Sequence, residues 1–446
     1  MTARRGWASA GRAALAVLVV LVVLVISAGL AAAVLWRNLQ GETALQPDPP
    51  AAATSTASRA EQVRRGAYLA RAGHCAGCHT ARGGAAYAGG RAIATPFGTV
   101  YASNLTPDPG TGLGHWTADN FWRALHHGRS RDGRLLYPAF PYPNFSLVNR
   151  ADADALLAYL RSLPPVLQAN RPHALRWPFS TQAALAVWRA LWFRPGGFVA
   201  DSSRSADWNR GAYLVNGLGH CSACHAARNL LGASAALGDP GAGDGWPLQG
   251  WRAPSLADPA EAGLAAWPLD DGVRLLQTGI NPHAVVQGPM AEVVAGSTQH
   301  LLPADLRAMV AYLQSLPAPK AAATAAATSP ATATAAAPAA GTAMARGSQL
   351  YTRHCAACHG DQGQGAPGIY PSLAGNRKVT MANPRNLIQA ISNGGFAPAT
   401  DANPRPYGMP AFDLPQDDMA ALASWLRASW GHQAAPVSPL DVLLHR

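Results

Sequence analysis

Ala13–Leu35 is an unbroken, uncharged and overwhelmingly apolar run near the start of the chain. At about 1.5 Å of rise per residue it is long enough, as a helix, to cross a hydrocarbon core of ~30 Å. Arg4, Arg5 and Arg12 precede it. By the positive-inside rule they keep the N-terminus cytoplasmic and send the remainder across the membrane. Ala31–Ala33 offers the small residues of a cleavage site, but the run exceeds the apolar core of a signal peptide. The reading is an uncleaved anchor over residues 1–36, followed by a flexible Pro/Ala/Ser/Thr tether over 37–58.

Beyond the tether a helical period of apolar positions recurs in three stretches, 59–165, 207–317 and 342–431. Each opens on a helix: Arg65-Gly66-Ala67-Tyr68-Leu69, then Arg210-Gly211-Ala212-Tyr213-Leu214, then Arg346-Gly347 with Leu350-Tyr351. Each closes on another, Asp152–Leu163, Ala304–Leu316 and Gln416–Ala428, with Tyr159, Tyr312 and Trp425 on the apolar faces. Pro303 and Pro415 suit first turns, Asp154, Asp305 and Asp417 suit helix N-termini, and Pro164 and Pro317 stop two of the helices. The fold class is therefore mainly α: one transmembrane helix and three small helical units.

Residues 166–206 form an aromatic-rich connector in which Trp177, Phe179, Trp188, Trp192 and Phe193 surround a helix. It is read as packing between units, with contact to membrane or partner as the alternative. Residues 318–341 are almost pure Ala, Thr and Pro and cannot bury a core. This linker predicts a third unit that moves relative to the other two. Residues 432–446 are a tail.

Composition changes the picture through cysteine. There are six, and all fall in three copies of one pentapeptide: Cys75-Ala76-Gly77-Cys78-His79, Cys221-Ser222-Ala223-Cys224-His225 and Cys355-Ala356-Ala357-Cys358-His359. Two thiols three positions apart with an imidazole directly after the second fit covalent haem attachment, the histidine becoming the proximal iron ligand. Each copy predicts one haem c, three in all. Zinc would want pairs at close spacing, and a thioredoxin-like site would want one motif in a βαβ setting. No thiol is left for a disulfide. Lys+Arg 35 against Asp+Glu 24 gives +11, with Lys320 and Lys378 the only lysines. That balance suits an anionic membrane surface or an acidic partner, and nucleic acid is not expected. No paired carboxylates, nucleophile–base set or nucleotide loop marks a substrate site.

The sixth iron ligand decides between electron transfer and ligand binding. Met409 stands between motif and closing helix in the third unit, where a thioether is wanted, and Met290 stands in the same interval of the second. Met309 lies inside a closing helix and is the weaker choice. The first unit has no methionine, and Phe140 stands where Met409 stands in the third. A helix from about Thr117 to Gly128 offers His126, on the face of Trp122 and Leu125, and His127, which follows Arg123 and Asn120 outward. Aligned on Gly128, Gly279 and Gly394, the His126 position holds Gln277 and Ser392 in the other units. Histidine replaces methionine, so His79/His126 coordination is expected, with an open haem and peroxidase-like chemistry as the alternative.

From about residue 60 to 430 the chain resembles the membrane-bound tri-haem cytochrome c subunits of periplasmic dehydrogenases, such as alcohol and gluconate dehydrogenases and molybdenum hydroxylases. The matching segments are Gly66-Ala67-Tyr68-Leu69, Asp132-Gly133 with Tyr137-Pro138-Ala139-Phe140-Pro141-Tyr142, and Gly288-Pro289-Met290-Ala291-Glu292-Val293-Val294. Phe140 departs from the alcohol dehydrogenase pattern toward the molybdenum branch. The resemblance implies three class I-like cytochrome c domains on the periplasmic side of a bacterial inner membrane. It implies electron relay from a quinoprotein, flavoprotein or molybdenum dehydrogenase to quinone or a terminal oxidase or cytochrome. In small c-type cytochromes a proline carbonyl holds the proximal imidazole, which by resemblance assigns Pro254 to His225 and Pro371 to His359. In the first unit the similar stretch is Ser103-Asn104-Leu105, with no acceptor assigned.

Overall fold

The computed structural model describes residues 3–40, 42, 56–239, 247–318 and 337–445. Ala3–Leu39 is one helix, and its stretch Leu15–Leu39 is long and apolar enough to cross a membrane. Val17, Leu24 and Ile26 are exposed along it, so no protein core covers this segment.

The rest is mainly helical, with two small antiparallel sheets. Ala92–Thr95, Gly98–Tyr101 and Ala174–Leu175 form one, and Gly395–Phe396 paired with Gly408–Met409 forms the other. Each unit is built on a crossing of its opening and closing helices: Thr56–Ala72 on Arg150–Ser162, Ala206–Asn216 on Pro303–Gln314, and Ala337–His354 on Gln416–Ala428. Pro303 starts its helix, whereas Pro415 caps the helix it precedes.

A glycine sets each crossing. A Cβ on Gly66 would sit 1.9 Å from Ala155 O, on Gly211 1.9 Å from Ala308 O, and on Gly347 2.4 Å from Ala421 O. Only a bare backbone admits such an approach. One residue earlier an arginine grips the closing helix: Arg65 Nε donates to Asp152 at 2.7 Å, Arg210 Nε to Asp305 at 2.8 Å and Arg346 Nε to Asp418 at 2.8 Å. Asp154 and Asp417 are not the partners. The glycine fixes the register, and Asp154 pairs with Arg150 along its own helix.

The first two units exchange contacts reciprocally. Tyr68 OH donates to Asp305 at 2.5 Å, and Tyr213 OH donates to Asp152 at 2.6 Å. Ala72 joins the core of the second unit and Leu218 that of the first. The third unit carries Gln349 at the position of these tyrosines and has no such exchange available.

The third unit, expected to move on its linker, is docked on the second in this structure. Asn386 accepts from Arg252 N at 2.9 Å and donates to Arg252 O at 2.8 Å, a paired backbone clamp, and Asp401 N donates to Gln299 at 3.1 Å. Most of the linker over 318–341 lies outside the described residues, and the third opening helix begins within it, at Ala337. The tail is also more than a tail. Val437 and Val442 enter the third core. Arg427, 1% exposed, donates to Val379 O, Met381 O and Ala435 O at 2.8, 2.7 and 2.6 Å.

The connector helix Gln182–Trp192 packs against the end of the anchor helix. Asn38 donates to Ala186 O at 2.9 Å and accepts from Arg189 Nε at 2.9 Å. Trp188 Nε1 donates to Leu231 O at 2.8 Å, tying the connector to the second unit, while Val187, Leu191 and Trp192 remain exposed.

Candidate haem sites

Each Cys-x-x-Cys-His copy forms a short helical turn after an opening helix: Cys75–His79, Ser222–His225 with Cys221 as its cap, and Ala356–His359 with Cys355 as its cap. Helical spacing sets the two sulfurs on one side of the turn. His74 and His220, with φ of 48° and 37°, turn the chain between opening helix and motif in the first two units. Neither was singled out in the sequence. Both stand directly before the first cysteine, as His354 does in the third unit.

The residues fit haem attachment better than bare metal or thiol redox chemistry. None of the six thiols is in a disulfide. Burial pushes Cys75 and Cys221 up to about 12 and Cys355 to about 11, opposite to the activated thiolate of a redox site. Among the described residues no group of three His, Cys, Asp or Glu could hold a metal ion. Burial also raises Cys78, and Cys224 of the second unit lies near enough to add to it.

The imidazoles are oriented alike. Nδ1 lies 2.7 Å from Ser103 O in His79, 2.7 Å from Pro254 O in His225 and 2.9 Å from Pro371 O in His359. A carbonyl partner fixes the proton on Nδ1 and leaves the Nε2 lone pair for a metal. Burial lowers all three pKa values, favouring that neutral form. The two proline carbonyls are those expected, and Ser103 supplies the acceptor that the sequence left open. An arginine missed by sequence reading braces two of the turns. Arg91 Nη1 donates to Gly77 O at 2.6 Å, and Arg228 donates to Ala223 O, the same motif position.

C-terminal to each motif in the chain, the glycine alignment of the middle helices holds: Gly128, Gly279 and Gly394 all cap their helices at positive φ, of 58°, 75° and 60°. Met409 lies on a short strand, half-buried against the third core. Met290 is half-buried in the first turn of helix Pro289–Gly296, whereas Met309 is buried in the second core. Phe140 packs on Phe145 with ring centroids 5.2 Å apart. His126 stacks flat on Trp122 at 4.5 Å, and its Nδ1 is buried without a hydrogen-bond partner. His127 is not outward, which corrects the sequence reading. It is 6% exposed, because Arg189 of the connector donates to its carbonyl and covers that face together with the end of the anchor helix.

A family model described as cytochrome c matches residues 63–164 and 344–430. The alcohol dehydrogenase (quinone) cytochrome c subunit of Komagataeibacter europaeus is 38% identical over 389 residues, 85% of this chain and 83% of that protein. This chain belongs to the cytochrome c family. The cytochrome is also 38% identical to the gluconate 2-dehydrogenase cytochrome c subunit of Pantoea cypripedii, over 85% of this chain and 88% of the relative. It is 41% identical to a nicotinate dehydrogenase subunit of Pseudomonas putida over 89% of this chain but 32% of that larger protein. Membership implies covalently attached haem c and, with it, electron transfer.

Proposed function

We propose that this cytochrome is a tri-haem relay that takes electrons from a periplasmic dehydrogenase and delivers them to quinone or to a terminal oxidase or cytochrome of the respiratory chain. The observation that carries the reading is threefold. Three motif turns, built alike, each hold a histidine whose Nδ1 is committed to a carbonyl and whose Nε2 is free. Haem at these turns supplies a reversible one-electron iron couple that no side chain of the protein can replace. The chain's part is to attach, orient and enclose: Cys75 and Cys78, Cys221 and Cys224, and Cys355 and Cys358 for attachment, with His79, His225 and His359 as proximal ligands. The sixth ligands assigned are His126, Met290 and Met409.

The names of the relatives, subunits of alcohol, gluconate and nicotinate dehydrogenases, support a dehydrogenase partner. Phe140, which departs from the alcohol dehydrogenase pattern, favours the molybdenum branch. The anchor helix holds the protein in the inner membrane. The exposed Val187, Leu191 and Trp192, beside the end of that helix, rest in the lipid interface, where aromatic and aliphatic side chains gain most.

Intact mass and membrane fractionation of the natively expressed protein test this. The expected result is a mass carrying three haem increments on a membrane-bound chain that retains its N-terminal helix. Fewer increments, or a mature N-terminus beginning after Ala33, overturns the corresponding part.

A further inference from the structure

The third unit reaches the second through a short helix, Arg377–Thr380, whose two cations both enter the neighbouring unit. Arg377 donates to Gly263 O at 2.7 Å and lies 4.9 Å from the Trp267 ring centre. Lys378 Nζ donates to Gln287 Oε1 at 2.5 Å and to Val285 O at 3.3 Å, and lies 5.9 Å from the Trp251 ring centre. Burial of this ammonium lowers its pKa to about 8. In a chain whose only other lysine is Lys320, Lys378 is the sole lysine among the described residues. A compact, rotatable ammonium can satisfy a carbonyl, an amide oxygen and a ring face together, where a planar guanidinium is tied to its fork.

Everything Lys378 touches leads to Met290. Gln287 is followed by Gly288, at φ of 58°, against which the Trp251 ring is pressed so closely that a Cβ would lie 2.7 Å from it. Gly288 caps the helix whose first two residues are Pro289 and Met290. The turn that leads into Met290 is thus held by one side chain, one carbonyl and one ring that share a single cation from another unit. Removing that cation leaves a half-buried carbonyl and amide oxygen without their donor, a cost that reorganisation of the turn would relieve.

We propose that Lys378 of the third unit is the positioning residue for the Met290 thioether of the second, and that its buried charge favours the reduced state of that haem site. Docking of the third unit then sets both the ligation and the electron affinity of the second. A positive charge in a poorly solvated setting favours the less positive iron. The inference rests on Met290 as an iron ligand.

The test uses the full-length, haem-loaded protein. Its readouts are the thioether-to-iron charge-transfer absorption of the oxidised state and a redox titration resolving each haem. Met290→Ala should remove one of two thioether components. Lys378→Gln should weaken or remove that same component and lower the matching midpoint potential, leaving the Met409 component intact. Lys378→Arg should recover part of both signals. Arg377→Gln, at the same interface but away from the Met290 turn, should leave them as in the wild type. If Met290→Ala spares the band, the ligand assignment falls. If Met290→Ala removes a component but Lys378→Gln changes neither band nor potential, the positioning role falls while the ligand stands. If Arg377→Gln acts as strongly as Lys378→Gln, the effect is general undocking and the specific role is overturned. Should Lys378→Gln lose haem altogether, Gln287→Leu, which removes one acceptor and keeps the cation, takes its place: loss of the thioether component supports the proposal, and an unchanged band overturns it.

Discussion

At the scale of the residue, His126 and His127 show how one position decides chemistry. Both rings carry a buried Nδ1 with no hydrogen-bond partner, and burial lowers both pKa values. Their neighbours differ. His126 lies flat on Trp122, while His127 is enclosed by the connector, with the positive charges of Arg189, Arg129 and Arg123 acting on it. His126→Ala is expected to convert the first haem to a high-spin form that binds carbon monoxide, read from the absorption spectrum. His127→Ala is expected to leave the spectrum low-spin and to cost about 1–3 kcal/mol, read from thermal or denaturant unfolding, because a buried side chain is lost. A high-spin haem already present in the wild type would sink the bis-histidine assignment. The motif residues were legible because their chemistry is local: five consecutive positions state it. The burial of His127 was not, since the groups that cover it come from Arg189 and Asn38, far along the chain on either side. Arg427 was illegible for the same reason. Its acceptors, Val379 O, Met381 O and Ala435 O, meet only once the tail has folded back.

At the scale of the element, the helix crossings carry the fold. The sequence showed Gly66, Gly211 and Gly347 at one repeat position and Tyr159, Tyr312 and Trp425 at another. What it left out was the register that brings them together. Gly66 faces Tyr159, Gly211 faces Tyr312 and Gly347 faces Trp425, and that register selects Asp152 and Asp418 over the neighbouring Asp154 and Asp417 as arginine partners. Gly211→Ala places a methyl 1.9 Å from a backbone oxygen, where nothing flexible can yield. The helices must part, at about 3 kcal/mol, the upper end of the usual cost of overpacking. Denaturant unfolding followed at the second haem should show this loss, while Gly133→Ala, at a glycine with open space around its added Cβ, should cost far less despite its φ of 85°. Equal losses would mean that the crossing does not depend on close approach.

At the scale of the whole molecule, the three units are one pair and one addition. Tyr68 with Asp305 and Tyr213 with Asp152 make a reciprocal lock, in which each carboxylate also holds the arginine of its own unit. Tyr68→Phe and Tyr213→Phe should each weaken the joint by about 1.5–3 kcal/mol, as for hydrogen bonds to charged groups. Unfolding monitored separately at each unit should change from a shared transition of units one and two to separate ones in the double variant, with unit three unaffected. A transition still shared in the double variant would assign the joint to Ala72 and Leu218 instead. The lock also fixes an order of events in biogenesis. Asp305 follows Tyr68 by 237 residues, so a chain emerging N-terminus first presents the Cys75 and Cys78 thiols long before the closing helix of the second unit exists to receive Tyr68. Cys224 comes near Cys78 once the pair has closed. The first motif is therefore open to haem attachment before the second unit exists, and its Cys78 stays exposed after the pair has closed.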